Sequence, residues 1–351
     1  MIVKNEQKLL ENALKSIQTL ADEIIIVDTG STDSTVSIAK KYTSQIYSFN
    51  WTNNFAQARN FSTSNATSDW IFILDADESI NPLDCSEIKT AINEAPIETA
   101  SFLFTRRNYT ENHQGATWKS TENDIYPESK IAQGYYEDQV IRLFRNSMDI
   151  LFEGKIHETV ETTANAAGNI EQLGTPIHHF GKLKDNTTEK QEFYEQLYTL
   201  EETQHPTAKI FWEHGRDLLA KGEITRALTH LIKATKQDPT FFAAWLSMAN
   251  AYLIRGDNLR TRAALSKAHE LNPNHYFIYL TQGILLTTER EFEAALEEYY
   301  HALTLDPNNA TIHFHIGLCF HAKGDSEKAH LAFTNAIAID PTYKDKIELK
   351  K

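Results

Sequence analysis

The sequence predicts an α/β domain built on a mostly parallel sheet, followed by an all-α solenoid of helical hairpins. Three observations carry that expectation. Short apolar runs alternate with helical patterns through the first half of the chain. Two of those runs, in EIIIVDTGSTDST and WIFILDADES, end in aspartates. In the second half Pro239, Pro273, Pro307 and Pro341 recur at intervals of 34 residues.

In chain order, Ile2-Val3 reads as a short first strand. It is shorter than the five or so residues of an ordinary strand, so the strand is abbreviated or the natural protein begins upstream. From Glu6 to Leu20, residues Leu9, Leu10, Ala13, Leu14 and Ile17 fall at helical spacing, and Ile24 to Val27 is a β-branched buried strand. Gly30-Ser31-Thr32-Asp33 supplies a turn and a helix cap leading into Val36 to Tyr42. A strand at Gln45 to Phe49, a helix at Phe55 to Ala66 and a strand at Trp70 to Leu74 complete a βαβαβαβ order with right-handed crossovers. Past Pro82 a helix near Ser86 to Asn93 and strands at Ala100 to Thr105 and Gln139 to Phe144 are expected. The polar and aromatic stretch between them, Asn108 to Gly134, is read as a substrate lid from its length.

Bulk properties narrow the function. The chain has 351 residues, 41% of them hydrophobic, and a formal net charge of −14. That excess of acid argues against a nucleic-acid backbone as partner. Cys85 and Cys319 show no pairing or zinc spacing, which makes a reducing cytoplasm the default location. No apolar run of 18 residues exists, so no membrane span is expected.

The second half repeats small residues as well as prolines. Gly215, Ala249, Gly283 and Gly317 occupy one position of the 34-residue period, and Ala227, Ala295 and Ala329 another, with Thr261 as the exception. This pattern resembles the tetratricopeptide repeat in four copies from about Ala208. Lys182 to Thr188 is read as a hinge and Glu189 to Glu202 as a bridging helix. The domains are therefore expected at 1–181, 182–204 and 205–351. Such arrays present a groove for peptides or partner helices, and Tyr252, Tyr276, Tyr279, His313 and His315 are candidates to line it, although core packing is the plainer reading.

The chemistry sits in the first half. Acids just past buried strands collect at the carboxyl edge of an open α/β sheet. Asp75-Ala76-Asp77 there makes a site for a divalent cation holding a diphosphate. MIVKNE, VDTGSTD, ARN and LDADE, in this order and spacing over residues 1 to 145, resemble the nucleotide-sugar domain of family 2 glycosyltransferases with the GT-A fold. The resemblance implies that Asn5, Glu6, Asp28, Arg59, Asp75 and Ala76 line the donor site. It also implies that Asp75 and Asp77 hold Mn²⁺ or Mg²⁺, with His157 completing the shell or His178 and His179 as a second choice.

Inverting transfer needs a carboxylate to take the acceptor proton. An acidic pair in the matching region of related enzymes makes Asp138 the first choice, with Glu137 and Glu158 as fallbacks. The run RLFRN, FEGKIHE and HHFG, over Val140 to Gly181, resembles a narrower bacterial group that includes sublancin-type S-glycosyltransferases and lipopolysaccharide-core glucosyltransferases. Within it, Arg142 and Arg145 either clamp phosphate or are solvated. The reading is thus a hexosyl-type transferase using a nucleotide-sugar, UDP-linked by preference, on a protein, peptide or glycan acceptor. The competing class is a repeat scaffold anchored by a degenerate transferase domain.

Overall fold

The computed structural model describes residues 1–111, 118–183, 188–340 and 343–348. The chain divides into two compact units, one running to Gln191 and one from Glu192 onward.

The first unit begins with the expected alternation: β1 (Ile2–Val3), α1 (Leu10–Ser16), β2 (Ile26–Asp28), α2 (Thr35–Ala39), β3 (Ile46–Ser48), α3 (Phe55–Thr63) and β4 (Trp70–Phe72). Strands β1, β2 and β3 form a parallel sheet in that order, with Val3 opposite Asp28 and Asp28 opposite Ser48. The helical spacing in α1 has its predicted outcome. Leu10 and Leu14 pack with Val3, Ile26 and Ala39 under this sheet, while Ala13 and Ile17 join a neighbouring core with Phe102, Phe104 and Leu143.

A second, mixed sheet follows, built from β5 (Glu78–Ser79), β6 (Thr99–Thr110), β7 (Trp118–Ser120), β8 (Gly134–Arg145) and β9 (Asn169–His179), with α4 (Cys85–Glu94) and α5 (Glu161–Ala167) between them. Its order is β4-β8-β6-β9-β5, with β7 added on β8. Only the β6/β9 pair is parallel, so the parallel character is confined to part of the unit. The described part of the stretch read as a lid is ordered by pairing instead. Strand β6 continues to Thr110, Trp118 pairs with Tyr136, and the Thr121 hydroxyl donates to the Ala132 carbonyl at 2.6 Å. Residues 112–117 lie outside the described residues.

The second unit contains α6 (Thr188–Gln204, from its fifth residue), four hairpins and α15 (Tyr343–Glu348). The hairpins are α7 (Ala208–Ala220) with α8 (Ile224–Gln237), α9 (Phe242–Ile254) with α10 (Asn258–Leu271), α11 (Tyr276–Thr288) with α12 (Phe292–Leu305), and α13 (Ala310–Lys323) with α14 (Ser326–Ile339). Helices α8, α10 and α12 each stop two residues before a proline, because the residue preceding proline is driven out of the helical region. The small residues are a matter of contact. A Cβ on Gly283 would lie 2.4 Å from the Tyr299 ring, and one on Gly317 equally close to Phe333.

Thr261, the exception in the second repeat, is buried and donates its hydroxyl to the Asp257 carbonyl at 2.9 Å. Tyr252 and Tyr279, weighed above as groove residues, are buried in the repeat core. The bridging helix is present as α6, while the hinge expected before it falls largely on residues 184–187, outside the described residues. No described helix is long and apolar enough to cross a membrane.

Candidate functional site

The turns after β1 and β2 are laced together. Asn5, at φ +57°, accepts the Thr32 N–H at 2.8 Å, the Glu6 N–H donates to Thr35 Oγ1 at 2.7 Å, and the Gln7 N–H donates to Asp33 Oδ2 at 3.2 Å. Asn5 and Asp33 therefore shape the loop edge with their side chains. Asp28 accepts the N–H groups of Gly30 (3.3 Å) and Ser31 (3.1 Å), and a 620 Å³ cavity opens beside it, bordered by Lys40, Thr43, Tyr47 and Ser48. Another cavity, of 490 Å³ and lined by Ile24, Trp70 and Leu143, lies toward the starting ends of β2 and β4 and is not bordered by Asp28, Asp75 or Asp77.

Asp75 emerges just past β4 into a chain of alternating charge. Its Oδ1 is paired with Arg59 Nη2 and its Oδ2 lies 2.8 Å from Arg142 Nη2. Arg59 also reaches Glu158 at 3.2 Å, Arg142 reaches Glu78 at 2.6 Å, and Arg106 joins Glu78 (3.4 Å) to Asp138 (2.7 Å). Burial alone would raise the Asp75 pKa, but Arg59 and Arg142 outweigh it and hold the carboxyl far below the usual range. Two expectations change here. Arg59 is buried behind Asp75 with its Nε and Nη2 committed to carboxylates rather than to a base or phosphate. Ala76 turns its methyl into the core with Val3, Leu10 and Ile26, so its side chain is not a donor contact.

Asp77 and His179 converge. Asp77 Oδ2 lies 3.7 Å from His179 Nε2, and the Phe180 N–H donates to the Asp77 carbonyl at 2.9 Å. His179 Nδ1 is 2.7 Å from Asn108 Oδ1, an arrangement in which Nδ1 donates to the amide oxygen and Nε2 is the ring nitrogen that faces Asp77. The space in front of both is kept open by Gly181, where a Cβ would lie 2.5 Å from His179 Nε2 and 2.7 Å from Asp77 Oδ2. A carboxylate oxygen and an imidazole nitrogen aimed at one open point fit a divalent transition-metal ion.

The neighbouring His178 faces the other side of β9. It is fully buried, stacks on Tyr109, and has Nδ1 2.7 Å from the tyrosine hydroxyl; burial, with Arg107 nearby, pushes its pKa down to about 3. It is a neutral core histidine. His157 sits in the loop closed by the Glu153–Thr159 bridge, which docks on α3 through the Phe55 N–H to the Lys155 carbonyl at 2.9 Å.

Sheet alternation sorts the candidate bases. Asp138 is opposite Arg106 on β6, and Glu137 is opposite Arg107, so their side chains leave opposite faces of β8. Glu137 goes to Lys119 at 2.5 Å and toward Arg107 at 4.0 Å, on the face that carries Tyr109 and His178. Asp138 shares its face with Arg106, Asn108 and His179. Its carboxylate is about half exposed and held by two bonds from Arg106, at 2.9 and 2.7 Å. Burial raises its pKa, and the Arg106 pairing more than offsets that and lowers it below the ordinary range. Glu158 is held beneath by Arg59.

The glycosyl transferase family 2 model matches residues 1–152. The N-terminal unit is a family 2 glycosyltransferase domain. Tetratricopeptide-repeat models match residues 213–275, 291–324 and 310–343, in the unit that follows. A TPR repeat-containing protein of Synechococcus elongatus is 26% identical, covering 96% of this chain and 91% of that protein. The SPbeta prophage-derived glycosyltransferase SunS of Bacillus subtilis is 26% identical over 67% of this chain, which spans about half (52%) of SunS. An uncharacterized glycosyltransferase of Rickettsia prowazekii is 37% identical over 81 residues, 27% of its length.

The transferase unit also uses residues that the sequence reading did not assign. Glu78 and Arg106 complete the charge chain, and Arg142, left between phosphate clamp and solvated residue, is buried within it. The available signal was an arginine inside each of two strand patterns, FLFTRRN and VIRLFRN. A charge on the buried face of a strand requires a counter-charge.

Proposed function

We propose that this protein is a metal-dependent, inverting glycosyltransferase that moves a hexose-type sugar from a nucleotide-sugar, UDP-linked by preference, to a protein, peptide or glycan acceptor recruited by the repeats. The observation that carries the reading is the convergence of Asp77 and His179 over Gly181, beside the anchored Asp75. Asp77 and His179 would hold the cation, and the imidazole favours Mn²⁺ over Mg²⁺. When bound, the ion supplies Lewis-acid neutralisation of the departing diphosphate.

The chain's own residues do the rest. Asp28, at the end of β2 beside the 620 Å³ cavity, contacts the nucleoside. Arg59 and Arg142 fix the Asp75 carboxylate in its ionised form so that it meets the donor without rearrangement. Asp138 takes the proton of the attacking acceptor group. Of the three acids considered, it alone combines the face of His179 with exposure to solvent. The Arg106 pairing keeps it ionised at neutral pH, and an acceptor that displaces Arg106 restores its basicity.

Calorimetric titration of UDP and GDP with and without Mn²⁺, paired with a turnover assay, tests the reading. Metal-dependent binding is expected in the wild type, to be lost in Asp77→Ala and kept in Asp138→Asn, whose turnover falls by about 10²–10⁴. Glu137→Gln should stay within about threefold of wild type, because it faces away. Unchanged metal dependence in Asp77→Ala would remove the metal assignment, and full turnover in Asp138→Asn would remove the base.

A further inference from the structure

We propose that Glu202, His214 and His230 form a second metal site, of the zinc class, that staples α6 to the first repeat hairpin. The three side chains come from three helices, α6, α7 and α8, and one ligand atom of each lies within 4.8 Å of the others. His214 Nδ1 and His230 Nδ1 both stand 2.6 Å from the same oxygen, Glu202 Oε1. His214 Nδ1 makes a hydrogen bond to it, and His230 Nδ1, buried at the same distance, approaches it out of line for one. Two imidazole nitrogens and a carboxylate oxygen therefore point at one place, with the rings 4.0 Å apart.

The surroundings are those of a ligand set. His214 Nε2 lies 3.3 Å from Glu195 Oε2, one helical face along α6, so when a cation takes Nδ1 the imidazole proton is accommodated at Nε2. Glu195 is itself paired with Arg226. Lys233 Nζ is 3.4 Å from Glu202 Oε2, which leaves Oε1 as a single-oxygen ligand. A cation there replaces the proton that His214 shares with Glu202 and takes up His230 Nδ1 as well. Two imidazoles and one carboxylate suit a tetrahedral borderline metal with water as the fourth ligand.

The repeat supplies an internal comparison. One and three periods on from His214 and His230 stand Met248 with Ala264 and Ile316 with Ala332, all in the apolar core, while the third repeat has Gln282 with Glu298. In two of the other three repeats this position pair is apolar, and the histidine pair occurs where α6, which belongs to no hairpin, comes to lie against it.

The test uses the full chain stripped of metal and carrying Asp77→Ala, so that the donor site does not contribute. Zn²⁺ titration by calorimetry should show one equivalent, and Co²⁺ should give the strong visible absorption of a four-coordinate site. Both signals should vanish on adding His230→Ala, or Glu202→Gln if circular dichroism shows His230→Ala misfolded, and Glu195→Gln should weaken binding about 10–100-fold. Absence of the equivalent in the Asp77→Ala chain, or its survival at full affinity in folded His230→Ala or Glu202→Gln, would overturn the proposal.

Discussion

Gly181→Ala isolates the donor-site geometry from the fold. The added methyl carbon would start 2.5 Å from His179 Nε2, 3.0 Å from its Cε1 and 2.7 Å from Asp77 Oδ2. A cation shared by these two groups sits about 2.0–2.2 Å from each, so methyl and cation claim the same volume. The side chains can retreat by about 0.5–1 Å to reach ordinary contact, which relieves the clash and pulls the ligands apart. The backbone imposes no penalty, because Gly181 is not among the glycines at positive φ. Replacing glycine at a permissive position contributes about 0.4–1 kcal/mol by restricting the unfolded chain, which offsets the cost of moving two side-chain tips. The expected result is a melting temperature within about 3 °C of wild type, with kcat/KM reduced at least about 100-fold, equivalent to about 2.7 kcal/mol of transition-state stabilisation. Mn²⁺ activation curves and thermal melts on the same preparations read both quantities. Wild-type activity with unaltered Mn²⁺ dependence would refute the reasoning, and His157→Ala would then be the variant to lose metal.

Arg142→Met removes the 2.6 Å partner of the buried Glu78 and one of the two partners of Asp75. It should destabilise the transferase unit by about 3–5 kcal/mol, or roughly 6–20 °C in its calorimetric transition, and adding Glu78→Gln should recover part of that; a shift under about 2 °C would show the pair to be dispensable. His178 is held neutral, with its pKa at about 3 in the folded unit against about 6.5 when unfolded. Its contribution is therefore fully present above about pH 6.5 and is lost as pH falls toward 3, because the unfolded chain binds the proton first. Urea unfolding from pH 7 to 4 should show stability falling with acid, and His178→Phe should flatten that slope; an equally steep slope in the variant would assign it to other groups.

What could be read from the sequence was whatever local pattern determines. Prolines and small residues 34 apart specify helical hairpins because each hairpin meets only its neighbours. The acids after β2 and β4 could be read as strand-end residues, but the expected single parallel sheet stops at β3: β4 pairs antiparallel with β8 in the second sheet. What could not be read depends on register between distant strands. Glu137 and Asp138 are adjacent in the chain, as are His178 and His179, and alternation guarantees that one of each pair leaves the site face. Which one leaves is settled by the pairing of β6 with β8 and β9, where Arg106 meets Asp138 and Asn108 meets His179.

The same register explains why the acids do not repel one another into protonation. It sets Arg106 and Arg142 between Asp138, Glu78 and Asp75, so the carboxyls of Asp75 and Asp138 are held below the ordinary range and fixed in orientation. An arginine that reads as an ordinary strand residue, Arg142, is thus part of what holds Asp75, the first aspartate of LDADE, ionised in a partly buried site.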